Sequence, residues 1–191
     1  MDLGGGIGVP YRAGEVFPQP EEYAAMVARV TGNWGVTLMF EPGRMIVGNA
    51  GVLVSEVILT KAGASKHFIV VDAAMNDLVR PAMYEAYHEI WPVSEPAADA
   101  RRIAYDVVGP ICESTDKFAA GRVLPEVRSG DRLAFMSAGA YGAVLSSSYN
   151  ARPLVPEILV DGDRYEIVRR RPSFEEMVGL EKVPEWLTTV A

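Results

Sequence analysis

The chain has 191 residues, 49% of them apolar and 23% charged, a balance that supports one substantial core or two modest ones and excludes a disordered polypeptide. Its net charge of -7 argues against nucleic-acid binding, because neutralising phosphates needs a basic face and the only dense basic run is Arg169, Arg170 and Arg171. No stretch reaches the roughly 18 apolar residues of a membrane span, and the opening residues lack the basic-then-apolar order of a signal peptide, so a cytoplasmic protein is expected.

In chain order, the first feature is Gly4-Gly5-Gly6-Ile7-Gly8, followed by Pro10 and Tyr11. A glycine-rich turn with no strand before it implies a segment upstream of Met1. Pro20 to Thr31 reads as a helix: Pro20 suits the first turn, Glu21 and Glu22 its positive end, and Tyr23, Met26, Val27 and Val30 recur at helical spacing. Val36 to Phe40 reads as a short buried strand that runs into Glu41-Pro42-Gly43-Arg44, where proline and glycine stop the ladder. Turn, helix, strand and turn follow the grammar of a parallel α/β unit.

Beyond Arg44 the pattern turns β-rich, with strands expected at 52–60, 68–72, 103–108, 132–136, 157–160 and 165–169. The last two are joined by the hairpin signal Asp161-Gly162-Asp163. Ser173 and Glu176 have capping-box spacing before a short helix that Gly179 closes. The expected fold class is therefore α/β plus all-β, with a seam near residues 45–50 dividing 1–48 from a mostly antiparallel β-sandwich or barrel over 49–191.

Several clusters bear chemistry. The glycine run is either a tight turn or an anion nest. Glu41 to Arg44 places an acid, an uncovered backbone amide and a guanidinium in one loop after a strand, which makes either a salt-bridged turn or a grip on a zwitterionic or phosphorylated ligand. Cys112-Glu113-Ser114-Thr115-Asp116 follows a predicted strand, so its thiol and carboxylates fall on a loop; a lone cysteine is either buried filler or a reactive thiol. With only His67 and His88 for company it builds neither a disulfide nor a metal site at usual spacing. Arg80 and Tyr84 stand four apart, the spacing of a shared helix face, and Gly139-Ala140-Tyr141-Gly142 and Ser148-Tyr149-Asn150-Ala151-Arg152-Pro153 are turn-rich.

Each block is weak alone, but the ordered set is specific. Gly-Gly-Gly-x-Gly-x-Pro-Tyr, Glu-Pro-Gly-Arg, Arg-Pro-x-x-Tyr, Cys-Glu-Ser-x-Asp, Gly-Ala-Tyr and Ser-x-Tyr-Asn-x-Arg-Pro resemble the C-terminal half of the diaminopimelate decarboxylase family, from Asp2 to about Pro153. The resemblance implies an alanine-racemase-like fold, with residues 1–48 as the last βα units of a partial TIM-type barrel that binds pyridoxal 5'-phosphate, and a β domain after it. It further implies that Gly5, Gly6 and Gly43 hold the cofactor phosphate and that Glu41 pairs with the pyridine nitrogen. Arg44 and Arg80 would bind substrate carboxylate, and Arg44 and Tyr149 would also touch the cofactor. Glu113 would take the distal ammonium, Tyr84 and Tyr149 would complete the pocket, and Cys112 would reprotonate the substrate carbon from the neighbouring subunit of a homodimer with shared active sites. Glu113 with Arg80 suits a substrate charged at both ends better than ornithine or another polyamine-pathway substrate. The family's cofactor-binding lysine belongs to an early barrel strand, and none of Lys61, Lys66, Lys117 and Lys182 stands in that context, so these 191 residues alone are expected not to decarboxylate. A fragment of the enzyme, or a non-catalytic module that docks on a complete decarboxylase, both fit that expectation.

Overall fold

The computed structural model describes residues 1–188. Helix α1, Pro20–Thr31, begins as expected: Pro20 occupies the first turn, and Gln19 and Glu22 form a reciprocal cap over backbone N–H groups that no helical carbonyl reaches. Its inward face is narrow, with Val27 and Thr31 buried and Met26 and Val30 exposed. Val36 to Phe40 is not a buried strand. Met39 makes a single parallel bridge to Asp2 and is 61% exposed; among the described residues the segment's backbone bonds to the chain's first residues, through Met39 N–H to Met1 O, Leu3 N–H to Met39 O, Glu41 N–H to Gly4 O and the Met1 ammonium to Thr37 O. The Glu-Pro-Gly-Arg block is likewise more than a turn, since Gly43 opens the short helix α2, Gly43–Val47, which runs into a 3-10 turn at Gly48–Ala50.

The core belongs to one six-stranded sheet. Its strands are β1 Leu53–Ala62, β2 His67–Val71, β3 Ile90–Pro92, β4 Arg102–Val108, β5 Lys117–Pro125 and β6 Arg132–Phe135, in the order β3-β6-β1-β2-β4-β5. The edge strands β3 and β5 approach each other, so the sheet curls toward a barrel. It is mixed but mostly antiparallel, as expected: only the pairing of β2 with β4 among its strands runs parallel, His67 opposite Tyr105 through Val70 opposite Val108. Parallel neighbours need a crossover, and the chain between them supplies it as helix α3, Arg80–Tyr84, and strand β3. Val57, Ile69, Val71, Val107, Leu133 and Phe135 are fully buried, each worth about 1.5–3 kcal/mol relative to exposure, and Phe118 packs on Phe135 at 4.6 Å between ring centroids.

Strand β5 escapes the alternation expected of a strand because Gly121, at φ +60°, interrupts it. There the Asp106 carboxylate accepts the Gly121 N–H at 2.7 Å and the Lys66 ammonium at 2.7 Å. The hairpin β7 Glu157–Asp161 and β8 Arg164–Arg169 turns on Gly162 at φ +63°. Helix α4, Phe174–Val178, carries the expected box between Ser173 and Glu176, and α5, Glu185–Thr188, ends the described chain. None of the described helices is long and apolar enough to cross a membrane.

Candidate functional site

The glycine run and the Glu-Pro-Gly-Arg block meet. Gly6 sits at φ +73°, where only glycine is unstrained, and a Cβ on Gly5 would collide with the carbonyl of Glu41. A Cβ on Gly43 would meet nothing within 4 Å, so its backbone faces open space. The Glu41 carboxylate makes no hydrogen bond among the described residues. Arg44, on α2, places its guanidinium 5.5 Å from the ring centre of Tyr141, and α2 is held to the Tyr141 loop by two bonds, Gly139 N–H to Gly48 O at 3.0 Å and Ala138 N–H to Gly51 O at 2.8 Å.

Arg80 opens α3 and is 8% exposed. Its Nη1 lies 3.1 Å from Nε2 of His88, and its guanidinium covers the Tyr11 ring at 4.8 Å. No carboxylate pairs with it among the described residues. Tyr84 is 63% exposed at the other end of the helix, where Glu85 turns left-handed at φ 52° and its N–H closes on the Arg80 carbonyl. His88 is 1% exposed and its Nδ1 lies 2.8 Å from the Met136 carbonyl. Burial, chiefly, pushes its pKa below the usual histidine value, with the Arg80 and Arg122 charges adding to the depression.

That depression has a sign in stability. The unfolded imidazole takes up a proton as pH falls through about 6.5 and the folded one resists it, so this stability is present above that pH and is lost below it, at up to about 1.4 kcal/mol per pH unit. Asp77 and Asp116, raised by burial, act oppositely, losing stability as pH rises through their raised values. The His88 effect is therefore expected in the difference between the parent and His88→Phe: denaturant melts between about pH 5 and 7 should show a weaker pH slope in the variant, and equal slopes would contradict the assignment.

Cys112 is exposed on a loop held from beneath. Asp116, buried, accepts the N–H of Ile111 and the N–H of Met75, each at 2.7 Å, and a Cβ on Gly109 would strike that carboxylate. Glu113 remains outside with its carboxylate held below the usual range, first by the Thr115 N–H, and the Tyr149 hydroxyl stands 3.5 Å from it. The Tyr149 loop is tied to the same segment as Met75: Arg152 Nε donates to Asn76 Oδ1 at 3.1 Å, Arg152 Nη2 donates to the Asp72 carbonyl at 2.5 Å, and Asn76 Nδ2 donates to the Ser147 carbonyl at 3.0 Å. Residues 72–77 thus pin both loops and lead directly into Arg80.

The predicted residues therefore fall into three groups: Gly5, Gly6, Glu41, Gly43 and Arg44; Arg80; and Cys112, Glu113 and Tyr149. Tyr84 stands apart. The first two are joined through the strand β6 end, where Met136 holds His88 and Gly139 holds α2; no hydrogen bond or ion pair among the described residues joins the third to the first. His88, Tyr11, Asn76 and Asp116 are contributors whose importance comes from partners distant in sequence. Only the acid-rich run Asp72-Ala73-Ala74-Met75-Asn76-Asp77 after a strand hinted at a side-chain-capped loop. The first two groups present guanidiniums and a free carboxylate beside glycine backbone, and the third an exposed thiol; the guanidiniums suit a zwitterionic ligand with more than one carboxylate.

Comparison with known proteins agrees in kind. Residues 19–139 match the family described as pyridoxal-dependent decarboxylase, C-terminal sheet domain. The diaminopimelate decarboxylase of Zymomonas mobilis is 48% identical over 97% of this chain, which spans 44% of that relative's length. Among solved structures, the diaminopimelate decarboxylase of M. jannaschii in complex with L-lysine superposes with a TM-score of 0.92 at 32% identity, over 97% of this chain and 43% of that one. The protein AQ1208 from Aquifex aeolicus superposes with a TM-score of 0.90 at 42% identity, over 94% and 44%. The chain spans less than half the length of each.

Proposed function

Since the chain belongs to the pyridoxal-dependent decarboxylases, we propose that it forms the C-terminal part of a diaminopimelate decarboxylase, converting meso-2,6-diaminopimelate to L-lysine and carbon dioxide in the cytoplasm. The observation that carries this reading is Arg80, a buried guanidinium held by neutral groups and left without a carboxylate partner among the described residues. Such a charge is costly to bury unpaired and is matched by a carboxylate accepted in bidentate fashion. A substrate with a second carboxylate supplies one.

The residues fit the cofactor. Gly43 has open space over its backbone, Glu41 has a carboxylate to spare, and the buried Tyr11 hydroxyl beside Arg80 has no partner among the described residues. Pyridoxal 5'-phosphate, when bound, supplies the sink for the electron pair released with carbon dioxide. Gly5, Gly6 and Gly43 would hold its phosphate through backbone N–H groups, and Glu41 would keep the ring nitrogen protonated. Residues 1–48 would then be the last βα units of its barrel, with 49–191 the β domain. Arg44 and Arg80 orient the substrate by its carboxylates, Tyr84 and Tyr149 exclude water from the pocket, Tyr149 also reaching the cofactor alongside Arg44, and Glu113 receives the distal ammonium. Cys112, carried to the neighbouring subunit's site in a homodimer, delivers the proton to the substrate carbon; its exposure on a braced loop suits that reach.

The test is Glu113→Ala in a holoenzyme that contains this chain. Loss of one charge-assisted contact is expected to lower kcat/KM for meso-2,6-diaminopimelate by about 10- to 100-fold, with little change in melting temperature because the hydrogen bonds of the Glu113 carboxylate lie at the surface. An unchanged kcat/KM would take the distal ammonium from Glu113, and a holoenzyme that released no carbon dioxide from meso-2,6-diaminopimelate would remove it as the substrate.

A further inference from the structure

His88 lies outside every motif that carries the family resemblance, yet it is among the most buried polar side chains of the described chain. Its two ring nitrogens face partners of opposite demand. The Met136 carbonyl, 2.8 Å from Nδ1, only accepts, so Nδ1 carries the hydrogen. The Arg80 guanidinium, 3.1 Å from Nε2, only donates, so Nε2 keeps its lone pair. One protonation state satisfies both: the neutral Nδ1–H tautomer. A second proton would set an N–H against a guanidinium N–H.

The surroundings reinforce that state. Arg80 approaches from α3, and Arg122 reaches across from β5 to donate Nη1 to the His88 carbonyl at 2.9 Å. The Tyr11 ring meets the imidazole edge-on at 5.6 Å. The next residue, Glu89, is engaged by the Tyr87 hydroxyl, and Tyr87 is itself covered by Arg12 at 4.2 Å and Arg122 at 4.0 Å. A third cation in this place is disfavoured. Arg80 is thus gripped by an imidazole lone pair and an aromatic face, two neutral partners that fix a guanidinium without cancelling its charge. A carboxylate in the place of His88 would fix it equally well and neutralise it.

We propose that His88 is a positioning residue: as the neutral Nδ1–H tautomer it aims the Arg80 guanidinium at the substrate's carboxylate while leaving its charge available. The assignment rests on the reading of Arg80 as a carboxylate ligand. It also extends the site to Met136, whose carbonyl sets the tautomer from the end of β6, three residues before the Gly139 that holds α2.

The experiment compares His88→Phe, His88→Gln and Arg80→Gln in the holoenzyme containing this chain, with meso-2,6-diaminopimelate as substrate. His88→Phe is expected to raise KM about tenfold or more with kcat nearly unchanged. His88→Gln, whose amide oxygen can accept from Arg80, should recover most of the affinity. If Arg80→Gln leaves KM unaltered, the reading of Arg80 itself falls. If Arg80→Gln raises KM and His88→Phe does not, the positioning role alone is overturned. Long-range 1H–15N spectra of the unsubstituted protein decide the matter even if a variant fails to fold: the proposal requires hydrogen on Nδ1 only at neutral pH, and a proton on Nε2, alone or in addition, overturns it.

Discussion

Cys112→Ala in a holoenzyme that contains this chain is expected to lower kcat by about 10²- to 10⁴-fold, the range over which a positioned proton donor acts, while the melting temperature stays within about a degree or two, as for other exposed changes. The two halves of that expectation come from different parts of the structure. Activity should fall because the exposed Cys112 thiol is the group assigned to proton delivery. Stability should not, because the loop is held by backbone rather than by the thiol: Asp116 accepts the Ile111 N–H, Glu113 N–H bonds the Ile111 carbonyl at 2.8 Å, and Asp116 N–H bonds the Glu113 carbonyl at 3.0 Å. Steady-state turnover together with a thermal melt separates the outcomes. A kcat within twofold of the parent would take the proton-donor role from Cys112, and a large fall in melting temperature would show that the thiol is structural.

Gly139→Ala is expected to cost about 3 kcal/mol or more, at the upper end of what overpacking costs. The added Cβ would fall on the carbonyl oxygen of Val47, with the Gly51 nitrogen only 2.9 Å away. Both are backbone atoms, Val47 the last residue of α2 and Gly51 the residue after the 3-10 turn, and Gly51 in turn has no room for a side chain because the Gly139 nitrogen stands 2.8 Å from where its Cβ would lie. Two glycines thus let the Tyr141 loop touch the end of α2. Relief would come from separating them, which breaks the bonds from Gly139 N–H and Ala138 N–H and moves Arg44 from Tyr141. Urea melts should report the loss of stability, and the KM for substrate should rise as well. Stability within about 0.5 kcal/mol of the parent, the range of an ordinary surface change, would show that this contact is loose.

Much of the architecture is legible where local chemistry decides it. The apolar runs of β1, β2, β4 and β6, the Asp161-Gly162-Asp163 hairpin, the start of α1 at Pro20 and the cap at Ser173 depend on neighbours a few residues away, and the structure places them within a residue or two of the pattern. Three features resisted for identifiable reasons. Val36 to Phe40 has strand-like residues but only the chain's opening segment to pair with, so its side chains stay exposed. Strand β5 is broken by Gly121, whose positive φ serves a bond to Asp106 across the sheet. The parallel pairing of β2 with β4 is a property of the crossover through α3, which no window of strand residues contains.

The site divides in the same way. Its chemical residue types stand in motifs, whereas what orients them does not. Asp116 reaches Met75 over 41 positions, Asn76 reaches Ser147 over 71, and His88 reaches Met136 over 48. Spacing rules that describe helices and strands carry no information at such separations. The four-residue interval between Arg80 and Tyr84 correctly marks a helix, but spacing does not say that Arg80 is buried at 8% exposure and Tyr84 left out at 63%.

The substrate assignment is tested most directly by a substrate panel on a holoenzyme containing this chain, measuring carbon dioxide release from meso-2,6-diaminopimelate, ornithine and arginine at saturating pyridoxal 5'-phosphate. A site with Arg80 charged and unpaired is expected to turn over meso-2,6-diaminopimelate with a kcat/KM at least about 10³-fold above the two substrates that lack a second carboxylate, since a site built for a polar group rejects analogues without it by about 10⁴-fold. Equal or greater release from ornithine or arginine would contradict it.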